Sequence, residues 1–139
     1  VWDEVDLSAR LWVIPAERMK AGREHRIPLS DAAVALLRQQ EQVLLAGVNL
    51  VFPSVRDHKP LSDMTLTAVL RRMQRNDLTV HGFRSTFRDW AAEATDYPQE
   101  MAEMALAHVV SNKVEAAYRR GDMLEKRREM MQKWAEFIL

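Results

Sequence analysis

The sequence predicts an α+β chain that is mostly helical, with a small antiparallel β-sheet at its N-terminal end. Two short strand-like runs near the start are closed by Pro15 and Pro28 and separated by a turn at Met19-Lys20-Ala21-Gly22. From Ser30 onward, apolar residues recur at helical spacing between capping and breaking residues. The length of 139 residues and 47% hydrophobic content are enough for one domain, read as 1–139, with a real core.

In chain order, Val5 to Leu11 holds a short strand and turn, and Leu11-Trp12-Val13-Ile14 is a strand stopped by Pro15. Glu24 to Leu29 returns as a further strand, with Pro28 at an edge, so Lys20 lies at or near a hairpin tip. Ser30 caps a helix running to about Ala46, where Gly47 suits the exit. Val48 to Phe52 is short and apolar, and Pro53 to Leu61 is a loop. Ser62 caps a helix with Leu66, Val69, Leu70 and Met73 on one face. The next helix carries an apolar stripe of Val80, Phe83, Phe87, Trp90 and Ala94. His81, Arg84 and Arg88 repeat that spacing one residue later. Pro98 opens a helix to about His108, and Ser111 caps a short one through Tyr118 that Gly121 ends. Asp122 with Glu125 forms a capping box for a last helix bearing Leu124, Met131, Trp134 and Ile138. That helix either covers its own domain or docks onto a neighbouring protomer.

Composition excludes several classes of function. Without cysteine there is no disulfide framework, thiolate zinc site or cysteine nucleophile. No apolar run approaches the roughly 18–20 residues that span a bilayer. The histidines, at 25, 58, 81 and 108, make no compact ligand pair, and no glycine-rich phosphate loop is present. The formal net charge is +0, but its distribution is uneven. Arg71, Arg72, Arg75, Arg84 and Arg88 precede an acidic stretch of Glu93, Asp96, Glu100 and Glu103, and Arg18, Lys20, Arg23 and Arg26 form an earlier basic segment. The alternation fits a positive face with a negative back, and equally fits solvated helix faces.

The residues with chemical potential are His81, Arg84, His108, Tyr118 and Lys20. Singly, each has a plainer reading. His108 follows Met101 and Met104 as a core histidine would, Tyr118 shares a face with Val114, and Lys20 is an ordinary turn lysine. Their order changes the reading. The hairpin Trp12-Val13-Ile14-Pro15-Ala16-Glu17-Arg18-Met19-Lys20 with Gly22-Arg23-Glu24-His25-Arg26-Ile27-Pro28-Leu29-Ser30 comes first. It is followed by Val80-His81-Gly82-Phe83-Arg84-Ser85-Thr86-Phe87-Arg88-Asp89-Trp90, by Ala105-Leu106-Ala107-His108, and by Val114 to Asp122 around Tyr118. These stretches resemble the catalytic domain of tyrosine recombinases, and more narrowly the prophage, genomic-island and satellite-phage integrases. The resemblance covers essentially the whole chain.

It implies a DNA breaking-rejoining catalytic core and site-specific DNA recombination through a covalent 3′-phosphotyrosyl intermediate. Tyr118 is implied as nucleophile, Arg84 and His108 as ligands of the scissile phosphate, and Lys20 as the acid for the leaving 5′ oxygen. His81 is implied as an aid to proton transfer or a further phosphate ligand. Arg71, Arg72, Arg75 and Arg88 are the expected DNA-backbone contacts. No metal or cofactor is implied. The implied partners are double-stranded DNA attachment sites, other protomers in a synaptic tetramer, and accessory DNA-bending or excision proteins, in the bacterial cytoplasm at the nucleoid, without a membrane.

The sequence departs from the family pattern in two respects. The family's first catalytic arginine precedes the first strand, whereas this chain opens at Val1-Trp2-Asp3-Glu4. It is read as a piece truncated before that arginine and inactive alone. His108 and Tyr118 also lie one position further apart than in the commonest members, as the island branch tolerates. Two other readings stay open: a type IB topoisomerase, which shares the constellation, and a non-catalytic DNA-binding or interaction module derived from an integrase.

Overall fold

The apolar run Leu11 to Ile14, with aromatic Trp12 and β-branched Val13 and Ile14, pairs on both sides. The computed structural model describes residues 1–43, 46–108 and 121–139. In it β1 (Val5–Asp6), β2 (Leu11–Ile14) and β3 (His25–Pro28) form an antiparallel sheet in the order β1-β2-β3. Val5 faces Trp12 across the first pair, while Leu11 faces Pro28 and Ile14 faces His25 across the second. Pro28 thus sits on an edge strand, where its missing N–H costs no ladder bond.

Five helices are described: α1 (Asp31–Glu41), α2 (Thr65–Arg72), α3 (Gly82–Glu93), α4 (Gln99–Ala105) and α5 (Leu124–Ile138). Ser30 caps α1 as expected, its Oγ accepting the Ala33 N–H at 3.3 Å. The helix stops at Glu41 rather than near Ala46, tightening into a bond from the Val43 N–H to the Gln40 carbonyl. Ser62 does not cap α2 with its side chain. Its carbonyl takes the Thr65 N–H, and Met64 holds the cap position. The Asp122–Glu125 box is also not formed. Asp122 accepts the Leu124 N–H at 3.2 Å, Met123 occupies the cap in a left-handed conformation, and Glu125 pairs with Arg128.

Two clusters make the core. Leu29, Val34 and Leu37 pack with Val5, Leu7 and Trp12 where α1 covers the sheet. Phe87, Trp90, Ala91, Met101, Ala102 and Met130 join α3, α4 and α5, with Trp134 packed against them. Trp134 meets Phe87 edge-on at 5.4 Å and Trp90 at 5.1 Å between ring centroids, so α5 covers its own domain.

The buried stripes differ from the periodicity. On α2 only Leu70 is buried, while Leu66 and Met73 are 57% and 63% exposed, because one edge alone of this short helix meets the described chain. On α3 the core face is Phe87, Trp90 and Ala91. Phe83 is exposed, and Val80 and Ala94 lie outside the helix. Arg84, one turn before Phe87, therefore belongs to the inward face and not to a polar row beside it.

Candidate active site

At the start of α3, the Gly82 N–H is held by Thr79 through its carbonyl and Oγ1, each at 3.0 Å. A Cβ at Gly82 would approach Thr79 Oγ1 to 3.1 Å, so the turn closes most easily on glycine. His81 is the exposed N-cap residue, and its carbonyl accepts the Arg84 N–H at 3.1 Å. Arg84 reaches inward, donating from a terminal nitrogen to the Leu106 carbonyl at 2.6 Å. That carbonyl lies two residues before His108, so the structure brings Arg84 and the His108 turn together.

The His108 turn has a definite cause. At the end of α4 the His108 N–H bonds the Glu103 carbonyl at 2.9 Å and the Ala107 N–H bonds the Met104 carbonyl at 3.0 Å. This is a Schellman pair, and it requires Ala107 at φ +56°, in the left-handed region. The reversal swings the His108 ring back onto its own helix, where Nδ1 bonds Glu103 Oε2. Glu103 Oε1 in turn lies 2.8 Å from Arg88 Nε.

The sheet approaches from the other side. His25, at the start of β3 and half-buried, lies near the backbone of Ala105. Burial, with the Arg127 charge, holds its pKa below the ordinary histidine value. Arg127, on α5, is 1% exposed and fully engaged. It donates to the Asp122 carbonyl at 2.7 Å, the Arg26 carbonyl at 2.8 Å and Asp122 Oδ2 at 3.0 Å. Asp122 also receives two bonds from Arg26, at 2.8 and 2.7 Å, and these hold its carboxyl below the usual range. Tyr118, with the helix expected from Ser111, lies outside the described residues. Asp122 is four positions beyond it, so this network fixes the chain just downstream.

Lys20 is exposed in the β2–β3 connection, inside a turn closed by the Gly22 N–H to the Met19 carbonyl at 2.9 Å, with Gly22 at φ +61°. It is carried on the hairpin whose return strand begins at His25. Of the expected DNA contacts, Arg71 and Arg72 are exposed at the end of α2 and have no ion-pair partner among the described residues. Arg75 is held by both oxygens of Asp77, at 2.9 and 2.8 Å, and Arg88 by Glu103.

Reading from sequence missed Glu103, His25, Asp122 and Arg127 as parts of this assembly. For Arg127 a signal existed. It falls three residues after Leu124 and four before Met131, inside the apolar stripe, so a buried guanidinium with partners was implied. For Glu103 no such signal existed, because the reversal that returns His108 to it is a feature of the folded chain. Among the described residues no group of three or more His, Cys, Asp or Glu side chains is placed to hold a metal ion. No described helix is long and apolar enough to cross a membrane.

Comparison with known proteins gives the following. Residues 1–125 match the family model described as "Phage integrase family". The chain is 42% identical to the protein "Prophage integrase IntA" of Escherichia coli (strain K12), over 99% of this chain and 33% of that protein. It is 35% identical to the "Integrase" of Enterobacteria phage P4, over 99% and 35%, and 32% identical to the "Integrase" of Shigella phage Sf6, over 99% and 36%. The chain thus spans about a third of the length of these relatives. No solved structure matches it.

Proposed function

Because this chain belongs to the phage integrase family, we propose that it is the catalytic core of a tyrosine recombinase that cuts and rejoins double-stranded DNA at prophage attachment sites. Tyr118 Oη attacks the scissile phosphorus, forming a P–O bond to the 3′ phosphate and breaking the bond to the 5′ oxygen. The phenol, with an ordinary pKa near ~10, must lose its proton in this step, and His81 assists that transfer. Lys20, on its exposed turn, gives a proton to the departing 5′ oxygen. Attack by a 5′ hydroxyl of the partner strand reverses the chemistry and frees Tyr118, so the phosphodiester energy is conserved and no nucleotide cofactor is consumed.

The observation that supports this reading most is the 2.6 Å bond from Arg84 to the Leu106 carbonyl, beside His108. A guanidinium so anchored keeps its other N–H groups for the non-bridging oxygens on which charge collects, and His108 adds a donor to the same phosphate. Loss of one such donor costs about 3 kcal/mol of barrier, or roughly a hundredfold in rate. Arg71 and Arg72 contact the DNA backbone directly, and Arg75 does so by exchanging the Asp77 carboxylate for a phosphate, while Arg88, paired with Glu103, adds positive charge to the DNA-facing side. Partner protomers form the synaptic assembly, with accessory DNA-bending or excision proteins, in the bacterial cytoplasm at the nucleoid. The relatives named above are integrases, which favours recombination over simple relaxation of supercoils.

The test uses protein expressed from the complete gene and a nicked attachment-site duplex that traps the covalent adduct. Tyr118→Phe is expected to abolish the adduct while leaving DNA binding nearly intact. Adduct formation by Tyr118→Phe would overturn the assignment.

A further inference from the structure

Glu103 holds His108 at two points. Its carbonyl takes the His108 N–H at 2.9 Å, and its Oε2 meets ring Nδ1. Its second oxygen forms an ion pair with Arg88 Nε at 2.8 Å, without hydrogen-bond alignment. The Glu103 side chain is largely covered, whereas those of Arg88 and His108 stand half exposed at either end of the chain of charges. An ionised carboxylate only accepts hydrogen bonds, so ring Nδ1 must carry the proton in this pair. Nε2 then donates to a phosphate oxygen once the ring is protonated.

We propose that Glu103 is a positioning residue for His108, holding its ring through Nδ1–H and supporting its doubly protonated form so that Nε2–H donates to the scissile phosphate, with Arg88 paired to the carboxylate. The inference rests on the reading of His108 as a phosphate ligand and adds the group that aims it. When the ring is protonated both nitrogens donate, Nδ1 to Glu103 and Nε2 to the phosphate, and the carboxylate balances the ring's charge. The geometry also gives Arg88 a use other than direct phosphate contact. A carboxylate behind an imidazole commonly sets both tautomer and orientation in this way.

Two measurements test it. On the 139-residue chain, nitrogen-15 NMR of the neutral His108 ring should show the Nδ1–H form in the wild type and in Glu103→Gln, whose amide oxygen still accepts. Glu103→Ala should revert to the Nε2–H form that histidine prefers in water. In single-turnover cleavage by protein from the complete gene, Glu103→Ala should be about 10–100-fold slower at unchanged DNA affinity. Glu103→Gln should recover most of the rate at lower pH, with the alkaline limb of its pH profile moved down, because a neutral amide does not balance an imidazolium. In a His108→Ala background, Glu103→Ala should cost nothing more. An unchanged tautomer, an unchanged cleavage rate, or a multiplicative loss in the double variant overturns the proposal. If Glu103→Ala does not fold, the tautomer and pH profile of Glu103→Gln decide. Wild-type protein that forms no adduct but shows the Nδ1–H ring would sink the recombinase reading and the catalytic part of this inference, leaving only a structural pair.

Discussion

Ala107 shows how a single backbone angle builds the site. The turn that returns His108 to Glu103 needs a left-handed residue, and alanine pays a steric penalty there that glycine does not. Ala107→Gly is therefore expected to stabilise the chain by about 0.5–1 kcal/mol, net of the extra freedom glycine gives the unfolded chain. The melting temperature should rise by roughly 2–4 °C. A melt showing no rise, or a fall, would mean that the turn is not made this way in solution. Residue types alone made His81, Arg84 and His108 legible, since an H-x-x-R pair and an L-x-H end are patterns in one dimension. Glu103 was not legible, because its role depends on a reversal of the chain that no periodicity encodes.

Among the elements, β3 and α5 are held together by a charge network and not by apolar packing alone. Arg127 satisfies two backbone carbonyls and the Asp122 carboxylate at once, so a shortened side chain strands several acceptors. Arg127→Ala should cost about 3–5 kcal/mol, read as a lowered urea midpoint. A midpoint close to wild type would show that water replaces the guanidinium readily. Among the described residues these elements occur in the order that local patterns predict, with Ser30 capping α1 and Pro28 on an edge strand. Helical spacing overextended α1 and set Phe83 on a core-facing stripe that it leaves, and the face shared by Leu66 and Met73 stands exposed. Amphipathic spacing says which residues could share a face, but only a neighbouring element decides whether that face is covered.

At the scale of the whole molecule, His25 stands where the sheet approaches the end of α4, within the field of Arg127, Asp122 and Arg84. Its folded pKa lies below the ordinary value of 6.5. A histidine of this kind binds a proton more readily in the unfolded chain, so its contribution is complete above about pH 6.5 and declines as pH falls toward its folded pKa. Wild-type stability should therefore drop between pH 7 and pH 5, and His25→Gln should flatten that slope. Parallel slopes in urea titrations would remove His25 as the cause. The α+β class, the order of the chemical residues and the family they resemble are written in one dimension, because strand alternation, caps and motif spacing are local properties of the chain. Tertiary structure alone decided that Arg84 reaches the Leu106 carbonyl, that Glu103 grips His108, and that Arg127 is buried between a strand and a helix about a hundred residues apart in sequence. Those contacts join segments distant along the chain, and their energy depends on burial and angle, which no local pattern records.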